Sequence, residues 1–377
     1  MKIRPFLVEQ WIDKYEAAAK WNIAETCVDP MSLDQMIELT GEDKDALVKR
    51  IFSTRMTYGP IEGGEEFRQG VANLFKTVKP DEVMETQGAI SANFLLQHAL
   101  VDAGDEVVSV IPTYQQLYSI PESIGATVRL IPLNRENNYL PDLDLLRKSV
   151  NHKTKVINLN NPNNPSGSVL DTATLKEIVN IARSVGAYVV CDEVYRGLTH
   201  DGSEMTSIVD LYDKGISVGS MSKVFSMSGL RTGWIVAHDP EVNKLCHRHR
   251  DYSVITCGVV HDILAGVVLK HANQILDRNR VIVNKNLQIL EEWVDAHSDC
   301  LTMFKPTAGT TALVYFKDLP VDGWEFCQTL IDDYQTLLTP GECFETPNSV
   351  RVGYACSEEE LIGGLAQVDK YMKTLKK

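Results

Sequence analysis

From about residue 80 the chain repeats one pattern: a short apolar run, then a stretch with helical spacing. The runs are EVVSVIP (106–112), TVRLIPL (127–133), KVINLN (155–160), AYVVCDE (187–193), ISVGS (216–220) and GWIVA (233–237). Between them lie segments such as TATLKEIVNIARSVG, whose Gly186 stands where a helix C-terminus favours glycine. Strands that are apolar throughout must be covered on both faces, and the intervening helices supply that cover. The pattern predicts an α/β domain on a mainly parallel sheet over residues 46–257. Beyond it the spacing is helical to about residue 297. Strand candidates TALVYF (311–316) and SVRVGYA (349–355) and a last helix, EEELIGGLAQVDKYMKTL, follow. This predicts a smaller α+β domain over 258–377. The N-terminal segment, 1–45, is expected to pack with it. There EQWIDKYEAAAKW reads as an amphipathic helix with Trp11, Ile12, Tyr15, Ala18 and Ala19 on one stripe. A less regular stretch follows to about residue 60.

A length of 377 residues suits two domains better than one core. The formal charge of −14 disfavours nucleic acid unless a basic stripe overrides it. The one basic stretch, CHRHRDY around Arg248 and Arg250, reads as a solvated helix face. MKIRPFLVEQW has no signal-like apolar region, and no run of about 18 apolar residues occurs, so no membrane span is expected. The eight cysteines are scattered without a CxxC pair, which argues against zinc and for buried thiols in a reducing cytoplasm.

Ligands of open α/β sheets sit at the carboxyl ends of the strands, so the residues just after each run are the candidates. KVINLN leads into NPNNPSG, which holds Asn164; alone, this is equally a turn built on asparagine, proline and glycine. AYVVC leads into DEVYRG, with Asp192 at the strand end and Tyr195 three residues on. Such a carboxylate either meets a cationic partner or caps a helix. ISVG leads into SMSKVFSMSGLRTGW, which gathers Ser220, Ser222, Lys223 and Arg231. A lysine in that setting is either exposed or an imine-forming amine. In the second case, burial and nearby positive charge are expected to lower its pKa. In METQGAISANF, the turn Gly88-Ala89-Ile90 opens a helix whose free N–H groups can bind an anion. Tyr114, after EVVSVIP, stands where its ring either faces a ligand or joins the core.

Taken in order, QGA, Tyr114, NPNNPSG, DEVY, SMSK, GLRTGW and SVRVGY resemble the class I/II aminotransferases, the fold type I pyridoxal phosphate enzymes, over nearly the whole chain. The resemblance implies the α/β fold type I architecture and pyridoxal phosphate as cofactor. It implies that Lys223 holds the cofactor as an imine and shuttles a proton, and that Asp192 pairs with the ring nitrogen. By the same resemblance, Tyr195 and Asn164 bind the ring oxygen, Tyr114 stacks on the ring, and Ala89, Ile90, Ser220, Ser222 and Arg231 hold the phosphate. Arg351 resembles the arginine that clamps the substrate carboxylate, and Tyr58 the tyrosine that reaches the neighbouring subunit of a homodimer. The implied partners are an amino acid and a 2-oxo acid. One segment departs from the pattern: WNIAETCVDP stands where many members have a glycine-rich cover. In this the chain resembles a branch that includes capreomycidine synthase and enzymes acting on arginine-like amino acids, where lyase, cyclase or oxidase chemistry also occurs. If that segment covers the substrate, Glu25 faces a cationic side chain; otherwise Glu25 caps the helix near Met31 or meets solvent.

Overall fold

In the computed structural model, which describes residues 2–375, the repeated pattern folds into one seven-stranded sheet. Its strands are β1 (Val83–Thr86), β2 (Glu106–Ile111), β3 (Thr127–Pro132), β4 (Thr154–Asn160), β5 (Tyr188–Asp192), β6 (Gly215–Ser220) and β7 (Gly233–Ala237). They lie in the order β1-β7-β6-β5-β4-β2-β3. Pairing is parallel from β6 through β5, β4 and β2 to β3, while β7 runs antiparallel to both β6 and β1. The central strands are apolar on both faces because both faces are covered: Val189, Val190, Ile216, Val218 and Ile235 are fully buried. Each such side chain contributes about 1.5–3 kcal/mol of burial. Gly219 is glycine for a packing reason: a Cβ there would lie 2.4 Å from the Trp234 ring.

A four-stranded antiparallel sheet follows. Its strands are β8 (Leu301–Met303), β9 (Thr311–Phe316), β10 (Thr339–Pro340) and β11 (Ser349–Gly353), in the order β10-β11-β9-β8. The helices Ala272–Ala296 and Glu358–Leu375 flank it. The N-terminal helix, Leu7–Tyr15, buries Trp11, whose Nε1 donates to the Leu338 carbonyl at 2.7 Å. Trp21–Asn22 then adds a two-residue parallel pairing to Thr336–Leu337. The Gly353 N–H donates to the Ile23 carbonyl at 2.8 Å. A Cβ on Gly353 would lie 1.9 Å from the Glu25 carbonyl oxygen, so only glycine lets this segment lie so close.

The less regular stretch before residue 60 contains the helix expected near Met31, which runs Leu33–Thr40, and a second helix, Lys44–Ser53. The first begins at a reciprocal Ser32–Gln35 capping box and ends at Gly41 with φ 74; the second is capped by Asp43. The basic helix Pro240–Arg250 is not solvated throughout: Arg248 is exposed, but Arg250 is buried. Its guanidinium donates to the carbonyls of Glu85 and Ile61, tying the helix end to β1 and to the loop before the helix Glu65–Ala72.

Candidate active site

A cavity of about 340 Å³ opens where the sheet strands end. In-register pairing of Asn160 with Asp192, and of Asp192 with Val218, brings the carboxyl ends of β4, β5 and β6 side by side. The turns leaving β1 and β2 reach the same edge with Ala89, Ile90 and Tyr114, and the N-terminal segment closes the opposite side.

Asp192 is buried at the floor of this cavity, and no helix follows it to be capped. Its partners are neutral: Asn93 Nδ2 donates to Oδ2 at 2.7 Å, and the Val194 N–H donates to Oδ1 at 3.2 Å. Among the described residues no cationic side chain pairs with it. Burial therefore dominates and pushes its pKa up to about 6, against the pull of Asn93 and the Val194 N–H. Its neighbour Glu193 has a structural task instead, bound by Arg196, Ser207 and Ser217.

Lys223 is half-buried and points into the cavity. Nζ donates to Thr26 Oγ1 at 2.6 Å and lies 3.6 Å from Cys27 Sγ. The expected fall in its pKa is not what the surroundings produce. Burial does oppose the charge, but Cys27, Tyr195 and Glu25 outweigh burial and the nearby Arg351, so the amine is held above its ordinary value. The outcome reverses because the loop carrying Cys27 and Glu25 comes from almost two hundred residues upstream.

Arg351 rises from β11 and is buried. Nη1 donates to Asn164 Oδ1 at 3.2 Å, and Nη2 donates to the Ala24 carbonyl and Thr339 Oγ1 at 3.0 and 3.1 Å. Its Nε has no partner, and no carboxylate lies within ion-pair reach among the described residues. Burial lowers its pKa. A buried guanidinium whose hydrogen-bond partners are all neutral, with Glu25 and Glu9 acting on it only from beyond ion-pair distance, is suited to an anionic ligand. Asn164 thus does more than shape its turn, and Tyr195 is buried beside it on the cavity wall. Tyr114 also lines the cavity: its hydroxyl donates to the Glu9 carboxylate, and its ring centroid is 4.7 Å from that of Phe6.

At the other end the helix Gly88–Leu100 begins with Gly88 at φ 74. Gly88 does not itself line the cavity, but a Cβ there would lie 3.1 Å from Arg231 Nη2. Gly233 lacks a Cβ where one would lie 2.7 Å from the Ala89 nitrogen, which lets β7 and this helix end meet. Ser220, Ser222 and Arg231 line the cavity beside Ala89 and Ile90. Helix N–H groups, two hydroxyls and an exposed guanidinium make an anion-binding end.

Tyr58 does not join this cluster. It is 77% exposed and lies in a separate surface concavity with Gln87 and Cys257. Glu25 does line the cavity but neither caps the Met31 region nor faces only solvent. The cap of the following helix is Ser32, and Glu25 Oε1 accepts from the Thr26 and Cys27 N–H groups at 2.7 Å each. Burial would raise its pKa; the Lys223 charge and the Cys27 and Thr26 bonds bring it below the ordinary value.

The sequence reading missed Asn93, Asn160, Thr26, Cys27 and an acidic group, Glu9, Asp13 and Glu16, all on the cavity wall. Asn93 left a signal, a polar residue inside an otherwise apolar helix. The acidic group left its i, i+4, i+7 spacing on the N-terminal helix. No cation lies within ion-pair distance of Glu9, Asp13, Glu16 or Glu25 among the described residues. Burial, then Glu25, Asp13 and Glu9, push the Glu16 carboxyl up, so these groups share one field.

The family model for aminotransferase class I and II matches residues 27–368. The chain belongs to that family. It is 30% identical to the capreomycidine synthase of Streptomyces vinaceus, over 97% of this chain and 93% of the relative. Among solved structures, a PLP-dependent aminotransferase from Streptococcus suis superposes with a TM-score of 0.96 at 38% identity, covering 100% of both chains. The PLP-dependent cyclase OrfR gives 0.91 at 25% identity, covering 99% of this chain and 98% of its own. The fold is that of the fold type I pyridoxal phosphate enzymes, and pyridoxal phosphate is the cofactor of the family. The cavity suits it: an anion-binding end at Ala89 and Arg231, a lysine, and a buried carboxylate with only neutral partners for a protonated ring nitrogen. Among the described residues no helix is long and apolar enough to cross a membrane.

Proposed function

We propose that the chain moves the amino group of an L-amino acid with a cationic side-chain end to a 2-oxo acid. The observation that carries this reading is the convergence of Lys223, Arg351 and Asp192 on one cavity whose N-terminal side carries Glu9, Asp13, Glu16 and Glu25. Pyridoxal phosphate, when bound, supplies an electron sink for the pair left on the substrate's α-carbon. The protein's residues do the rest. Lys223 would hold the cofactor covalently and carry the α-proton on Nζ; Asp192 would keep the ring nitrogen protonated. Tyr195 and Asn164 would bind the ring oxygen, with Tyr114 against the ring. The helix start at Gly88, with Ala89, Ile90, Ser220, Ser222 and Arg231, would hold the phosphate.

Arg351, steadied by Asn164, would bind the α-carboxylate and so fix the orientation of the α-carbon. Glu9, Asp13, Glu16 and Glu25 form an acidic wall that has no ion pair among the described residues; it favours a guanidinium or ammonium at the far end of the substrate and disfavours a second carboxylate. A second reading, cyclase, lyase or oxidase chemistry on an arginine-like amino acid, is favoured by the likeness to capreomycidine synthase and OrfR.

One screen separates the two readings. The purified enzyme is offered L-arginine and other amino acids, each with and without a set of 2-oxo acids. Products are identified by mass while the cofactor's absorbance is followed. A new amino acid formed from the 2-oxo acid supports transamination. A rearranged, oxidised or ammonia-releasing product formed without the acceptor supports the second reading. No turnover with any amino acid refutes both.

The same reading makes the working unit a homodimer, with exposed Tyr58 reaching the partner's phosphate end. Sedimentation at micromolar concentration then gives about twice the chain mass of 42.1 kDa; a fully active monomer refutes it. The division proposed is 1–45, 46–257 and 258–377; it is supported by the seven-stranded sheet falling wholly in the second part and the four-stranded sheet wholly in the third. A cytoplasmic setting is supported by eight scattered cysteines that are all buried.

A further inference from the structure

Lys223 is gripped by a loop that has no part in the cofactor pocket's sheet. Its Nζ donates to Thr26 Oγ1 at 2.6 Å, a short charge-assisted bond in a part-buried setting. Thr26 is held from several sides. Its N–H donates to Glu25 Oε1 at 2.7 Å, and its carbonyl accepts from Thr310 Oγ1 at 2.7 Å. Two residues on, the Val28 N–H donates to the carbonyl of Lys223 itself at 3.2 Å. On the other side, the absent side chain of Gly353 lets the Glu25 carbonyl approach β11. The loop is therefore fastened to the lysine's backbone, to the small sheet and to its own carboxylate. The hydroxyl it presents has little freedom to move away.

We propose that Thr26 is a positioning residue for Lys223: its hydroxyl is the docking point of the Lys223 amine whenever that amine is not bonded to the cofactor. This rests on the reading of Lys223 as the cofactor-bearing lysine. The physical argument is one of alternatives. A lysine side chain has four rotatable carbons, and an amine that must return to one place gains from a fixed acceptor. Glu25 is not that acceptor: its Oε1 takes the Thr26 and Cys27 N–H groups, and among the described residues it makes no ion pair with Lys223 within 4.0 Å. Cys27 Sγ at 3.6 Å is a weak acceptor. The threonine hydroxyl can accept from an ammonium and donate to a neutral amine, so it serves both protonation states. Glu25, by contrast, favours the ammonium alone.

The test reads the amine rather than turnover. The full-length chain, freed of cofactor, is labelled with acetic anhydride across a pH series, and the peptide containing Lys223 is quantified by mass. The hydroxyl's charge-assisted bond from the ammonium is stronger than the bond it makes to a neutral amine, so in Thr26→Val the amine titrates about one unit lower than in wild type. Thr26→Ser, which restores the oxygen, titrates within a few tenths of a unit of wild type. Thr26→Ala, smaller than the native residue, gives the shift of the valine variant without a new contact. The cofactor absorbance of each reloaded variant confirms that it is folded. An unchanged titration in both Thr26→Val and Thr26→Ala overturns the proposal, as does a serine variant that titrates with them. The underlying reading is tested separately by borohydride, which fixes a bound cofactor to its lysine. If the label appears on a peptide other than the one holding Lys223, that reading fails whatever the titration shows.

Discussion

The cavity has two walls built on different principles. The sheet wall carries single groups at the ends of β4, β5 and β6, each locked by in-register neighbours: Asn160 beside Asp192, Asp192 beside Val218, Ser220 beside Gly233. Its charges are few, buried and matched to neutral partners, as Asp192 is to Asn93. The N-terminal wall carries several charges of one sign on a helix and a loop. Asp13 and Glu16 are exposed, and Glu9 and Glu25 half-buried. Preorganised, desolvated groups act strongly on reacting atoms, whereas a screened array of like charges selects among ligands at modest strength. The difference teaches that chemistry and selectivity are separable in this molecule. Sheet-wall changes should reduce every substrate alike, and N-terminal-wall changes should reorder substrates.

The largest effect is expected on the sheet wall. Asp192→Asn removes the buried carboxylate at the cavity floor while keeping its shape, and should slow single-turnover α-proton loss by about a hundredfold or more for all amino acids. It should also remove a pH dependence. In the protein without cofactor, Asp192 has its pKa raised to about 6, so its carboxylate is present above that value and is lost as pH falls through it. Only the carboxylate pairs with a protonated ring nitrogen. Cofactor affinity in wild type should therefore fall as pH drops below about 6, and in Asp192→Asn it should be weaker and flat across that window. Affinity measured by absorbance titration from pH 5 to 8 checks this. A wild-type curve with no inflection, or an asparagine variant with normal proton loss, breaks the contrast between the walls.

The unequal construction of the walls also decides what could be read in advance. Strand-end residues were legible because apolar runs and their punctuation fix both the strand and its exit point. Asp192, Asn164, Ser220 and Lys223 all follow directly from that. The small-sheet strand with Arg351 was legible for the same reason. Asn93 was not, because helical spacing says which residues share a face and not which carboxylate they meet. The pairing of Trp21–Asn22 with Thr336–Leu337 is too short to leave any period. The direction of the Lys223 pKa shift depends on Cys27 and Glu25, whose approach is a product of folding. The acidic spacing on the N-terminal helix was visible, but its orientation follows from Trp11 docking on Leu338, a contact across 327 residues.

The smallest and most discriminating effects belong to that acidic wall. Glu25 is half-buried, so Glu25→Gln should lower kcat/KM for arginine by about tenfold and leave alanine within about twofold. Asp13 is exposed, so screening limits Asp13→Asn to about threefold on arginine, with no effect on alanine. The sign follows from charge alone: each change removes attraction for a cationic substrate end and repulsion for an anionic one, so glutamate use should rise slightly in both variants. Raising salt from about 0.05 to 0.5 M should erase most of the Asp13 effect and less of the Glu25 effect, since a group nearer the cavity interior is less screened. Glu25 has a second connection, through the Thr26 and Cys27 N–H groups to the loop that grips Lys223. Gln at that position keeps one acceptor oxygen for those N–H groups, so the loop should hold and the charge alone should be tested. If Glu25→Gln reduces arginine and alanine equally, Glu25 belongs functionally with the sheet wall, and the division between the two walls must be redrawn to put the loop on the chemical side.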